Sequence, residues 1–275
     1  MAQKKGFLDQ KNEKNISTFG LNDWEMFDIR LFSRDMDQVL KIIDGWLASK
    51  LKKRWIATVN PEFVMKSTND DDFKKILKKT DLNVVDGTGL IWARRVNGKN
   101  FFKRALSGIK VGGEILKGEH RKELITGVDL MSELCGLAEE KKYKVFFLGG
   151  FDDRAKRTME HFKKDNLEMD YFSGEPKFSN DQVLKKINKF KPDILFVAYG
   201  MKKQEEWIDK NRDKADFGVA VGVGRSFDYY SGDLKRAPKA WRKMGMEWLY
   251  SLIKEPKRIK RQIVLPKFVW KVLTG

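Results

Sequence analysis

KVFFLGG (144–150) and PDILFVAYG (192–200) decide the fold. Each is an apolar run that closes on glycine, and neither alternates polar with apolar residues. Alternation marks a strand with one wet face, so unbroken runs of this length point to strands covered on both faces. Working outward, RWIATVN (54–60), LNVVDG (82–87) and FGVAVGVG (217–224) repeat the pattern. Amphipathic stretches separate them. Asn60-Pro61 sets a capping side chain before proline at a first helical position and opens a helix expected to run towards Lys79. Phe73, Ile76 and Leu77 give that helix its apolar stripe. Residues 128–142, 153–165, 179–190 and 202–212 read as helices too. Strand–helix alternation over 54–224 predicts an α/β fold with a doubly wound, mainly parallel, Rossmann-like sheet.

The flanks differ from this middle. Residues 1–22 are polar and rich in Lys, Asn and Gln, and read as a flexible leader. Residues 99–123 (KNFFKRALSGIKVGGEILKGEHRKE) interrupt the alternation, and their glycines suggest an inserted loop with room for one short helix. From Leu234 to Gly275 there are 12 Lys/Arg against 2 Glu, so this stretch holds +10 of the net +17. Trp241, Met244, Trp248, Leu252, Ile259 and Ile263 follow helical spacings there, with Pro256 and Pro266 expected to break the helix into pieces. Aromatic and aliphatic residues on one face with Lys/Arg opposite describe a helix lying on an anionic membrane surface. A basic helical arm packed on the core is the competing reading, and the joint concentration of charge and tryptophan favours the membrane.

The charge surplus of 56 Lys/Arg over 39 Asp/Glu calls for an anionic partner: nucleic acid, phospholipid headgroups or a phosphorylated substrate. The single cysteine, Cys135, excludes an intrachain disulfide and sits among Leu134, Leu137 and Ala138, as a buried structural thiol would. Residues 1–20 lack the apolar core of a secretory signal. The longest apolar runs, such as Ile194–Met201, fall well short of the roughly 20 residues a spanning helix needs. A soluble or peripheral protein is expected.

In an open parallel sheet, ligands bind beyond the carboxyl ends of the strands. Those ends carry Thr58 and Asn60, then Asp86-Gly87-Thr88-Gly89, then Gly149-Gly150, then Tyr199-Gly200 followed by Gln204, then Gly222-Val223-Gly224 followed by Asp228. Asp86 stands where a base meets a substrate hydroxyl, and desolvation there raises a carboxylate pKa. An Asp that caps the next helix is the plainer alternative. Asn60 caps a helix in either reading, with its amide facing the cleft. Gly149-Gly150 opens a helix and would bring backbone N–H groups to a diphosphate. The dinucleotide fingerprint is incomplete, yet Asp170 lies where a nicotinamide enzyme keeps its ribose-binding acid. Asp70-Asp71-Asp72 resembles a metal-binding acidic cluster but reads better as a solvated charge run. His120 and His161 have no Cys or His companions, and no Gly-x-Ser-x-Gly elbow is present, so neither a zinc site nor a serine hydrolase is expected.

Taken together, TVNPEFVM (58–65), DGTGLIWA (86–93), TGVDLM (126–131), FFLGG (146–150), PDILFVAYGMKKQEEWI (192–208) and residues 222–261 closely resemble the TagA/WecG/CpsF glycosyltransferase family. The resemblance covers roughly residues 25–265. It implies a catalytic domain over 23–233 and a basic appendage over 234–275 that closes on the site and touches the membrane. It also implies a metal-independent, inverting transfer of an N-acetylmannosamine-like sugar from a UDP donor to a polyprenyl-diphosphate-linked amino sugar. Asp86 would be the general base, Thr58 and Asn60 would line its pocket, and Gln204 would sit near the donor. Arg258 and Arg261 match basic positions of the appendage. The expected location is cytoplasmic, peripheral on the inner membrane face, as part of cell-wall polymer synthesis; a homo-oligomer is compatible. The sequence departs from the family at Leu124, where an arginine is usual and Arg121 is the available substitute, and at Lys202, Arg225 and Ser251. A nicotinamide oxidoreductase and a basic nucleic-acid-binding protein are the competing functions.

Overall fold

The structure, a computed structural model, describes residues 23–175 and 180–275. The leader expected over 1–22 lies outside the described residues. The strands are β1 (Asp23–Met26), β2 (Ile29–Phe32), β3 (Arg54–Val59), β4 (Leu82–Val85), β5 (Val145–Gly149), β6 (Met169–Phe172), β7 (Ile194–Ala198) and β8 (Val219–Gly222). They form one eight-stranded sheet in the order β1-β2-β4-β3-β8-β7-β5-β6. Only β1 and β2 pair antiparallel; every other described pairing is parallel. The α/β, doubly wound expectation holds.

The unbroken apolar runs have the cause inferred for them. Ile56, Val84, Phe147, Phe196 and Val221 point into one layer, with Ile43 and Leu130 of the helices Met36–Ala48 and Gly127–Lys141. Phe146, Leu195, Val197 and Ala220 point the other way, onto Val183, Ile187 and Trp207 of the helices Asn180–Phe190 and Lys203–Asn211. Towards the β1 edge, Ala57, Val59 and Val85 meet Phe63, Phe73 and Leu90. Burying both faces requires apolar residues at successive positions.

Two local expectations need correcting. The helix begun by Asn60 does not reach Lys79: it runs Pro61–Ser67, and a second, Asp71–Lys78, starts afresh at the Asp70 cap. Polar Ser-Thr-Asn-Asp at 67–70 competes for the backbone and breaks the two apart. The supposed loop at 99–123 contains a 17-residue helix, Phe101–Lys117, capped by Asn100 at one end and by left-handed Gly118 at the other. Its interior glycines are tolerated because Gly108 lies against the Trp92 ring, which donates its indole N–H to the Gly108 carbonyl at 2.9 Å. Pro266 stands where the tail divides, as expected: the helix Ile259–Gln262 ends and the helix Val264–Thr274 begins. It sits in the first turn of the helix Val264–Thr274, where the missing N–H costs no hydrogen bond.

The chain leaves β4, passes over β3, β8 and β7, and enters the sheet again as β5. This crossover carries the segment 124–127 across the carboxyl ends of the strands, where Ile125 donates its N–H to the Val85 carbonyl. The remainder after β8 forms the helices Lys239–Lys243, Glu247–Lys254 and Ile259–Gln262, then Val264–Thr274. That last helix buries Phe268 against the helix Pro61–Ser67 side of the core. Burial of one phenylalanine stabilises by roughly 2–3 kcal/mol, so the arm is attached to the domain as well as amphipathic.

Candidate active site

Asp86 follows β4 directly, and its own N–H bonds the Val59 carbonyl at 2.7 Å, locking it beside the end of β3. Its carboxylate accepts the Gly127 N–H at 3.2 Å, at the N-terminus of the helix Gly127–Lys141. Gly127 fits because it has no Cβ: one built there would lie 3.3 Å from Ser226 Oγ and the Val223 carbonyl, and 3.5 Å from Thr58 Oγ1. Burial pushes the Asp86 carboxyl up to about 7, opposed by the Gly127 N–H and assisted by the nearby Glu247 and Asp129 carboxylates. Arg236 pulls the other way.

These last three form a network that sequence reading missed. Arg236 donates to Asp129 Oδ2 at 2.8 Å, to Thr126 Oγ1 at 3.1 Å and to Glu247 Oε1 at 3.1 Å. Burial raises the Asp129 carboxyl but the bonds from Arg236 outweigh it and hold the group below its usual value. Asp129 lies in the Thr-Gly-Val-Asp-Leu block, whereas Arg236 and Glu247 belong to the appendage. Their only sequence signal was a charged residue inside a stretch that carries the family resemblance.

Thr58 and Gln204 are brought to the same edge, but their polar groups are engaged with the protein. Thr58 Oγ1 donates to the Gly222 carbonyl at 2.8 Å. Gln204 is buried, accepts the Gly224 N–H at 3.0 Å and donates to Glu205 Oε1 at 2.8 Å. Glu205 in turn accepts the Lys202 N–H at 3.0 Å, and its burial raises its carboxyl to about 7. This staple passes beneath Gly222, where a Cβ would lie 2.6 Å from Gln204 Nε2. It shapes the loop after β8. Asn60 Oδ1 accepts the Phe63 N–H at 3.2 Å as the helix cap, and Asn60 Cβ lies beside Gly87, next to Asp86.

Gly149 and Gly150 both have positive φ, yet the Gly150 N–H bonds the Ala198 carbonyl at 3.1 Å. The following helix starts only at Arg154. The expected approach of both N–H groups to a diphosphate is therefore corrected: that of Gly150 is already used within the protein. Tyr199 packs at Gly149 and edge-on to Trp207, its hydroxyl buried with no hydrogen-bond partner among the described residues. A Cβ at Gly200 would meet open space. Asp170 pairs with Lys186 at 2.7 Å on the edge strand β6, which removes the acid the nicotinamide reading needed. Asp70, first of the acidic run, caps the helix Asp71–Lys78 and pairs with Lys202 at 2.6 Å.

The arginines of the appendage divide. Arg258 is half-buried and sits close enough to Arg225 that, after burial, that like charge is the next cause depressing its pKa. Arg225, at the loop after β8, bonds Glu255 of the appendage at 2.8 Å and Asp228 at 3.0 Å. Arg261 is exposed and pairs with Glu62, two residues past Asn60, at 2.8 Å. Arg121 stands apart. It is exposed in a shallow concavity with Gly118, Glu119 and Lys122, and among the described residues it bonds none of the groups around Asp86. Leu124 packs in the apolar layer instead.

A doubly wound sheet with a desolvated carboxylate at its carboxyl edge, and an arginine-bearing arm folded over that edge, has the form of a group-transfer enzyme. The chain belongs to the glycosyl transferase WecG/TagA/CpsF family, whose model matches residues 24–116 and 107–275. It is 32% identical over 224 residues to a protein of Bacillus spizizenii named N-acetylglucosaminyldiphosphoundecaprenol N-acetyl-beta-D-mannosaminyltransferase, covering 81% of this chain and 79% of that one. Proteins of the same name from Staphylococcus aureus and Bacillus subtilis are 31% and 30% identical over 220 residues, 79% of this chain, with 79% and 78% of their own lengths covered. This chain is thus a glycosyltransferase, and the oxidoreductase and nucleic-acid readings find no support. No helix among the described residues is long and apolar enough to cross a membrane.

Proposed function

We propose that this chain transfers N-acetylmannosamine from a UDP donor, with inversion, to an N-acetylglucosamine carried on a polyprenyl diphosphate at the inner face of the membrane, for a wall polymer such as teichoic acid. The observation that carries the reading is Asp86: a carboxylate raised to about 7 at the carboxyl edge of the sheet, held by the Gly127 N–H. Asp86 takes the proton of the acceptor hydroxyl as its oxygen bonds to the anomeric carbon. The bond from that carbon to UDP breaks, and the electron pair leaves with the diphosphate. A carboxyl titrating near neutrality suits a general base. The leaving diphosphate gathers negative charge, and Arg258 beside Arg225 offers positive charge at the same edge. Guanidinium stabilisation of this kind needs no divalent ion. Asn60 positions the Asp86 loop, while Thr58 and Gln204 act as positioning residues through their bonds to Gly222 and Gly224.

The test is UDP release with UDP-N-acetylmannosamine and a short-chain N-acetylglucosaminyl diphospholipid, run beside a panel of other UDP-sugars. The reading expects turnover with that donor, lost in Asp86→Asn and not in Asp70→Asn. Turnover with another donor alone would overturn the sugar assignment, and undiminished turnover by Asp86→Asn the base.

A further inference from the structure

The helix Phe101–Lys117 has two apolar faces, and folding accounts for only one. Gly108, Val111 and Ile115 face the helix Thr88–Arg95 and are buried. On the other side Phe102, Leu106 and Ile109 are 77%, 69% and 75% exposed, and Leu116 is exposed in line with them. Their spacings of four, three and seven residues place them on one stripe, with Gly113 between as an open position. A row of lysines, Lys103, Lys110 and Lys117, runs beside the stripe, each one residue past an apolar one. All three are exposed, and among the described residues none pairs with a carboxylate. The helix's single acid, Glu114, is turned to Arg95. The apolar surface continues onto the last helix, where Trp270, itself exposed, lies 5.8 Å from the Phe101 ring. The two family-matched stretches, 24–116 and 107–275, meet inside this same helix.

We infer that Phe101–Lys117 is an interfacial membrane helix, lying in the headgroup layer of an anionic bilayer with Phe102, Leu106, Ile109 and Leu116 inserted and the lysine row on the lipid phosphates. The charge pattern selects this occupant. Two copies of the chain packed stripe to stripe would bring their unpaired lysine rows together, whereas anionic headgroups complement them. The stripe is also a ridge with no walls, so a single polyprenyl chain would gain little cover from it. Seventeen residues give the ridge a length of about 25 Å, enough to lie flat along the interface. This deepens the lipid-acceptor reading and rests on it for its purpose, which is to hold the Asp86 edge at headgroup depth. It also moves the apolar anchor from the tail alone to the insertion and tail together.

The experiment is co-flotation of the full chain with vesicles of phosphatidylglycerol and phosphatidylcholine in equal parts, without donor or acceptor, so that its failure is separate from failure of the transfer reading. The triple variant Phe102→Ser, Leu106→Ser, Ile109→Ser should bind about tenfold more weakly or worse. Its circular dichroism and melting should be unchanged, because these side chains are exposed. In parallel, Ile109→Cys carries an environment-sensitive dye, since Cys135 is buried. Vesicles should shift its emission to the blue and leave the same dye on Glu133→Cys unmoved. Undiminished flotation of the triple variant would overturn the inference. So would a blue shift without vesicles that grows with protein concentration, the mark of a second copy, or one abolished by removing residues 1–22, the mark of the chain's own N-terminal segment.

Discussion

Replacing Asp86 by asparagine keeps the acceptor oxygen for the Gly127 N–H and removes the charge, so it separates catalysis from stability. In the folded protein the Asp86 carboxyl is raised from 3.8 to about 7, first by burial and then by Glu247 and Asp129. The unfolded chain releases that proton near its ordinary value, so between about pH 4 and pH 7 the folded state binds more protons than the unfolded one. Stability contributed by the protonated form is present below pH 4, falls as pH rises through about 7, and stays lost above it. A shift of about three units corresponds to about 4 kcal/mol at most. Asparagine does not titrate and escapes this cost. At pH 8 Asp86→Asn should therefore melt higher than the parent by roughly 5–8 °C, given the unfolding entropy of a chain this size. The gap should close on acidification towards pH 4. The assay is melting by circular dichroism from pH 4 to pH 8.5, with UDP release on the same preparations falling by at least about a hundredfold. A variant that melts with or below the parent at pH 8, or a gap independent of pH, would refute the claim that Asp86 is held ionised against its environment.

Wild-type kcat/KM should climb through about pH 7 and level off above it, as Asp86 loses its proton. Arg236→Gln should move that rise to higher pH, because the Arg236 charge favours ionised Asp86, and should cost about 2–3 kcal/mol in urea melts by leaving Asp129 and Glu247 unpaired; an unmoved profile would contradict the network. Phe268→Ala should cost about 3–4 kcal/mol and expose the final helix to proteolysis, and a loss below about 1 kcal/mol would show that the arm is not docked through it. Chelation with EDTA should leave transfer largely unchanged, whereas strict dependence on added Mn²⁺ would contradict diphosphate stabilisation by arginine.

The central strands were legible because burial on both faces writes itself into the sequence as unbroken apolar runs. The edge strands β1 and β6 were not, nor was β2 beside β1: DWEM, IRLF and MDYF span four residues each, and β1 and β6 are half-buried, too short and too mixed to carry a period. Phe101–Lys117 was obscured by Gly108, Gly112 and Gly113, ordinarily breakers, because a helix held by Trp92 and by caps at both ends overrides local propensity. The place of Asp86 at the carboxyl edge of the sheet could be read from its position at the end of a strand. The state of its neighbours could not. Whether Thr58 and Gln204 face a ligand or the backbone depends on Gly222 and Gly224, brought beside them by sheet order and not by sequence spacing.

The appendage is where this difference matters most. Composition describes Leu234–Gly275 as a cationic amphipathic arm, and that describes its outer surface. Its inner surface carries Arg236 and Glu247, which act on Asp86 with opposite sign. Glu247 raises the carboxyl and Arg236 lowers it, so displacing the arm changes both influences and admits water to a carboxylate whose pKa is raised chiefly by burial. Water alone would return the group towards its ordinary value and weaken it as a base. Docking of the arm, through Phe268 on one side and the Arg225–Glu255 pair on the other, therefore sets the proton affinity of the group proposed to start the reaction.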